Sequence, residues 1–77
     1  MTLTVNQELD TSGMSCPLPV LCLKQALKKM ASGQVLHVVA TDKGTQHDFV
    51  VFSKQTGHEL IESSEAPGKF HYWFRKA

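Results

Sequence analysis

The 77-residue chain is predicted to be an α+β protein, a two-layer α/β sandwich with two helices on one face of a four-stranded mixed sheet. Three observations predict it. Val20, Leu23, Leu27 and Met30 recur at spacings of three and four, the period of one helix face. Val35 to Thr41 is short, β-branched and apolar, and Phe70, Tyr72 and Phe74 alternate with His71, Trp73 and Arg75, as strands do. Glycine and proline clusters separate these segments. The resulting order, βαβαββ, closes most economically with both helices on one side of a mixed sheet.

Taken in order, Gln7 to Thr11 reads as a short strand, because Glu8-Leu9-Asp10 alternates and Thr11-Ser12-Gly13 is a turn cluster. Pro17 marks a helix start, since proline is tolerated where no intrahelical N–H bond is needed. That helix is expected to run to Met30 and to end at Ser32-Gly33. Val35 to Thr41 reads as the most buried strand, with Leu36, Val38 and Ala40 on one face and Val35, His37 and Val39 on the other. A second helix is expected from Thr45 to Gln55, with Asp42 or Thr45 as its cap and Gly57 just past its end. His58 to Ser64 and Lys69 to Arg75 read as a hairpin across Glu65-Ala66-Pro67-Gly68, with the register left open by the length of that link.

Size and composition restrict the function classes. The chain reads as one domain, residues 1–77, and a domain this short buries only about 60% of its unfolded surface. It has little room for an enclosed catalytic cavity; a reactive group presented at the surface to larger partners suits it better. The net charge of +1, with lysine and arginine scattered, gives no footprint for direct nucleic-acid binding, and Lys69, Arg75 and Lys76 form its one basic concentration. No stretch approaches the ~20 apolar residues of a membrane span, which argues against membrane insertion. Residues Met1 to Glu8 lack a secretory pattern, so the expected compartment is the cytoplasm, where thiols stay reduced. Cys16 and Cys22 with His37, His47, His58 and His71 show no metal-ligand spacing, and no cofactor motif is present.

Cys16 is the residue best placed for chemistry. It precedes a proline-started helix, as the N-cap or the residue next to it, and a helix N-terminus favours the thiolate. Pro17 and Pro19 stiffen the junction. The same position also suits a small apolar residue filling a gap, as free cysteines often do. Cys22 lies six residues on, about 9 Å along a helix, beyond disulfide reach without unwinding. It points to the edge of the apolar stripe as a half-buried, passive thiol. Asp10 precedes the turn and holds the loop, and Asp42 reads as a strand-end cap. Asp48 on the second helix is placed to line the same end of the sheet as Cys16. No histidine is placed by sequence as a base for Cys16.

The run Leu9-Asp10-Thr11-Ser12-Gly13-Met14-Ser15-Cys16-Pro17-Leu18-Pro19 resembles the signature of the TusA (SirA-like) sulfur-carrier family, in which an L-D-x-x-G-x-x-C-P-x-P segment opens the first helix. The likeness continues through Gly33-Gln34-Val35-Leu36, Ala40-Thr41-Asp42, Asp48-Phe49 and Gln55-Thr56-Gly57-His58-Glu59-Leu60 to the aromatic last strand. It implies a carrier of the sulfurtransferase type, rather than a stand-alone turnover enzyme. In such a carrier Cys16 accepts sulfane sulfur as a persulfide from a cysteine desulfurase or rhodanese and passes it to an acceptor protein. The family's pathways are tRNA thiolation, molybdenum-cofactor assembly and sulfur oxidation. Carried over by position, Asp10, Gly13, Pro17 and Pro19 shape the surroundings of Cys16, and a monomer suits docking to larger partners. Many members carry arginine where this chain has Ser12, which removes one positive charge beside the thiol; Cys22 is outside the signature. The alternative is a non-catalytic regulatory or protein-interaction module that uses the outer sheet face of His37, Val39, His71 and Trp73.

Overall fold

The computed structural model describes residues 4–15 and 17–77. Its elements are β1 (Gln7–Thr11), α1 (Leu18–Lys28), β2 (Val35–Ala40), α2 (Thr45–Thr56), β3 (Glu59–Ala66) and β4 (Lys69–Arg75). The strand order is β1-β2-β4-β3; β1 runs parallel to β2, and the other two pairings are antiparallel. The parallel pair needs a crossover, which α1 supplies, whereas β3 and β4 need only a hairpin. This is the predicted βαβαββ sandwich.

The helices cover one sheet face. Leu23 and Leu27 of α1 and Phe49 and Phe52 of α2 pack over Leu36, Val38 and Ala40 of β2 and Phe70, Tyr72 and Phe74 of β4. Each such Leu or Phe contributes roughly 1.5–3 kcal/mol on burial. Phe49 meets Tyr72 and Phe74 edge-on, with ring centroids 4.6 and 5.7 Å apart, an arrangement the ring quadrupoles favour. The opposite face, carrying His37, Val39, His71 and Trp73, is half-buried. Alternation along β2 and β4 therefore sorts the side chains as expected.

Three local expectations are corrected. α1 stops at Lys28 because the next amides tighten: Lys29 and Met30 N–H donate to the carbonyls three residues back. Met30 stays buried although it lies outside the helix. Gly33 is not its cap; at φ 86° it serves the turn closed by Gln34 N–H to Ala31 O. The N-cap position of α2 is Gly44. Thr45 is the first residue of that helix, and its hydroxyl donates to the Asp42 carbonyl at 2.7 Å. β3 extends to Ala66, which leaves a two-residue connection, Pro67-Gly68. Proline cannot take positive φ and Gly68 does, at 75°, so this is a type II turn.

Candidate functional site

The segment between β1 and α1 is tied down residue by residue. Thr11 is buried, and its hydroxyl donates to the Val39 carbonyl at 2.7 Å. Met14 N–H returns to the Thr11 carbonyl, closing a turn with Gly13 at φ 80°. A side chain at Gly13 would meet nothing within 4 Å, so the backbone conformation, rather than space, calls for glycine there. Gly13 N–H donates to the Thr41 hydroxyl at 2.8 Å, joining the loop to the end of β2.

Asp10 braces the same turn, its Oδ1 accepting Ser12 N–H at 2.9 Å. The Ser12 hydroxyl foremost, then the Ser12 amide, hold this carboxyl below its ordinary value of 3.8; the small opposing desolvation is followed by attraction from Lys69. Lys69 lines a shallow groove with Asp10, Ser12 and His37. A positive charge therefore lines the same groove as Ser12.

Cys16 lies outside the described residues; its neighbours Ser15 and Pro17 are both exposed. Pro17 is the N-cap of α1, rather than its first residue, and Pro19 is fully buried one position past Leu18. Two of the four residues whose amides open this helix are thus prolines without an N–H. Leu18 N–H donates to the Ser15 carbonyl at 3.0 Å, which leaves Val20 as the other residue with an amide in this turn. The first turn carries no acidic residue, so no carboxylate opposes the positive end of the dipole.

Beside this helix start runs a groove of about 290 Å³, lined by Pro17, Val20, His47, Asp48, Val51, Phe52 and Gln55. Asp48 therefore lines one groove with Pro17. His47 lines it too, and sequence reasoning missed it; its place one residue ahead of Asp48 was the available signal. Leu18 and Leu21 are half exposed along the same helix. Cys22 is half-buried, with its thiol 3.7 Å from the Met14 sulfur. Asp42 accepts the Gly44 amide at 3.3 Å and stays at the β2–α2 turn. Among the described residues no helix is long and apolar enough to cross a membrane, and no group of three His, Cys, Asp or Glu is arranged to hold a metal ion.

Comparison with known proteins shows the family and the fold. The family described as Sulfurtransferase TusA matches residues 7–76. A sulfur carrier protein TusA of Allochromatium vinosum is 58% identical over 72 residues, covering 94% of this chain and 95% of that protein. A sulfur carrier protein TusA of Pseudomonas aeruginosa is 42% identical over 76 residues, covering 99% and 96%. The crystal structure of a SirA-like protein from Desulfitobacterium hafniense superposes with a TM-score of 0.79 over 90% of this chain and 95% of that one; at 21% identity the likeness is one of fold. The chain belongs to the TusA family of sulfur carriers.

Proposed function

We propose that this protein carries sulfane sulfur as a persulfide on Cys16, taking it from a cysteine desulfurase or rhodanese and passing it to an acceptor protein of a sulfur relay. The observation that supports this best is the start of α1, where exposed Ser15 and Pro17 flank position 16 and no first-turn carboxylate opposes negative charge. The Cys16 thiolate attacks the terminal sulfur of the donor persulfide; the donor S–S bond breaks and the donor leaves as a thiolate. An acceptor thiolate then attacks the terminal sulfur on Cys16, which leaves as a thiolate in turn. No external oxidant or reductant is consumed. Asp10 and Gly13 hold the approach to Cys16, and Pro17 and Pro19 set the helix start. Family membership favours this reading over a regulatory module.

The test is mass spectrometry after incubation with a cysteine desulfurase and cysteine. Wild type should gain about 32 Da per sulfur, reversible by thiol reductant. Cys16→Ser should gain nothing, while Cys22→Ser should load as wild type does. Wild type that stays unmodified with both desulfurase and rhodanese donors defeats the proposal.

A further inference from the structure

Side chains from three strands meet on the sheet face that the helices leave open. Glu8 of β1 stands opposite His37 of β2, and His37 stands opposite Trp73 of β4. His71 is two residues from Trp73 on the same face. The His37 ring is engaged at both nitrogens: Nδ1 lies 3.1 Å from Glu8 Oε1, and Nε2 lies 3.0 Å from His71 Nδ1. The two imidazole centroids are 5.2 Å apart with planes within 5°. Parallel rings so far apart approach to 3.0 Å only when they lie edge to edge in nearly one plane, so the contact is an in-plane N–H···N bond. Trp73 lies alongside the His37 ring, with centroids 4.9 Å apart and planes within 17°.

The protons along this row are constrained. An ionised carboxylate only accepts, so Nδ1 of His37 carries a hydrogen. When both rings are neutral, bare Nε2 of His37 must accept from Nδ1–H of His71. One added proton keeps the bond in either of two ways: His71 becomes the cation and still donates, or His37 becomes the cation and donates back to His71. A second added proton puts N–H against N–H and two cations side by side. That state cannot keep the bond.

We propose that Glu8, His37 and His71 form a proton-sharing unit that accepts one proton without change of shape and opens on accepting a second, altering the surroundings of Trp73. The charged groups facing it are few. Asp10 lies along β1 and Lys69 along β4, both on the groove shared with Glu8 and His37. Glu62 of β3 stands opposite Trp73. Arg75 is drawn to Glu59, at 2.9 Å. The helices lie on the other face and add none. The row links edge strand β1 to central strands β2 and β4, so its opening changes the open face across three strands at once.

Trp73 is the sole tryptophan of the chain, so its emission reports this site alone. The experiment follows Trp73 fluorescence and the imidazole nitrogen resonances of the full chain from about pH 8 downward through the histidine range. The expected result is that His37 and His71 gain the first proton over one shared midpoint, with Trp73 emission steady, and that emission changes in a second, more acidic step. Glu8 is 77% exposed, so Glu8→Gln leaves the fold intact; it should move both rings to lower pH together. In His71→Gln no second imidazole remains, so the more acidic step in Trp73 emission should be lost. His37 and His71 titrating at separate midpoints, each unmoved when the other is replaced by Gln, would overturn the proposal.

Discussion

The two helices begin in opposite ways. The first turn of α2 is closed by its own fold. Thr45 is buried, its hydroxyl donates to the Asp42 carbonyl, and with that proton committed the Tyr72 hydroxyl donates to Thr45 Oγ1 at 2.9 Å. Burial accordingly pushes the Tyr72 hydroxyl up, against the relief from Thr45. Asp48 sits in that first turn and complements the dipole. α1 begins with exposed Pro17 and Leu18, two prolines without amides and no acid. One helix start is closed by the core and by an acid of its own, and the other has neither. The contrast teaches that the same backbone feature is tied into the core or left at the surface according to what its first turn carries.

That contrast can be broken most severely at the seat of α2. Phe49 is fully buried against Tyr72 and Phe74, so Phe49→Ala should cost about 3–5 kcal/mol in urea denaturation. Thr45→Val strands the Tyr72 hydroxyl and should cost about 1–3 kcal/mol, whereas Tyr72→Phe, which leaves Thr45 bonded to Asp42, should cost about 1 kcal/mol. At α1 the balance reverses. Leu18→Glu adds the first-turn acid that α2 already has at Asp48. It should change stability by less than about 0.5 kcal/mol, yet slow iodoacetamide labelling of Cys16 at neutral pH roughly two- to fivefold.

The smallest effect concerns the brace of the α1 approach. The Asp10 carboxyl is held below its ordinary 3.8 when folded, so its support of the Ser12 turn is fully present above that value and fades as pH falls through the lower folded value. Asp10→Asn should therefore flatten the acid limb of a stability–pH curve slightly while leaving neutral stability nearly unchanged. A curve with the same acid limb in both proteins would remove Asp10 from that role.

The strands were legible where side-chain chemistry alternates: Gln7–Thr11 and Lys69–Arg75 are found with the expected bounds. The end of α1 was not, because Met30 keeps the helical spacing of apolar residues while its amide bonds only three residues back. Periodicity reports burial, and burial outlasts the helix by a turn. The β3–β4 register was hidden because Ile61 is absorbed in an irregularity between Leu60 and Glu62, which no alternation reveals. At the site, the Asp10 brace and the turn at Thr11-Ser12-Gly13 followed from local turn chemistry. The company of His47 with Pro17 did not, since it depends on how α2 lies against α1. The row of Glu8, His37 and His71 needs the strand order itself, because residues so distant in the chain become neighbours only when β2 lies between β1 and β4.

The order of the strands also has a dynamic consequence. β1 is an edge strand of five residues whose one strand partner is β2, whereas β2 and β4 are each paired on both sides. Amide hydrogen exchange should accordingly divide the sheet: β2 and β4 exchange only with global unfolding, while β1 exchanges through a cheaper, local opening. The strand that leads to the Cys16 segment is thus expected to open ahead of the two central strands, without dismantling the aromatic core.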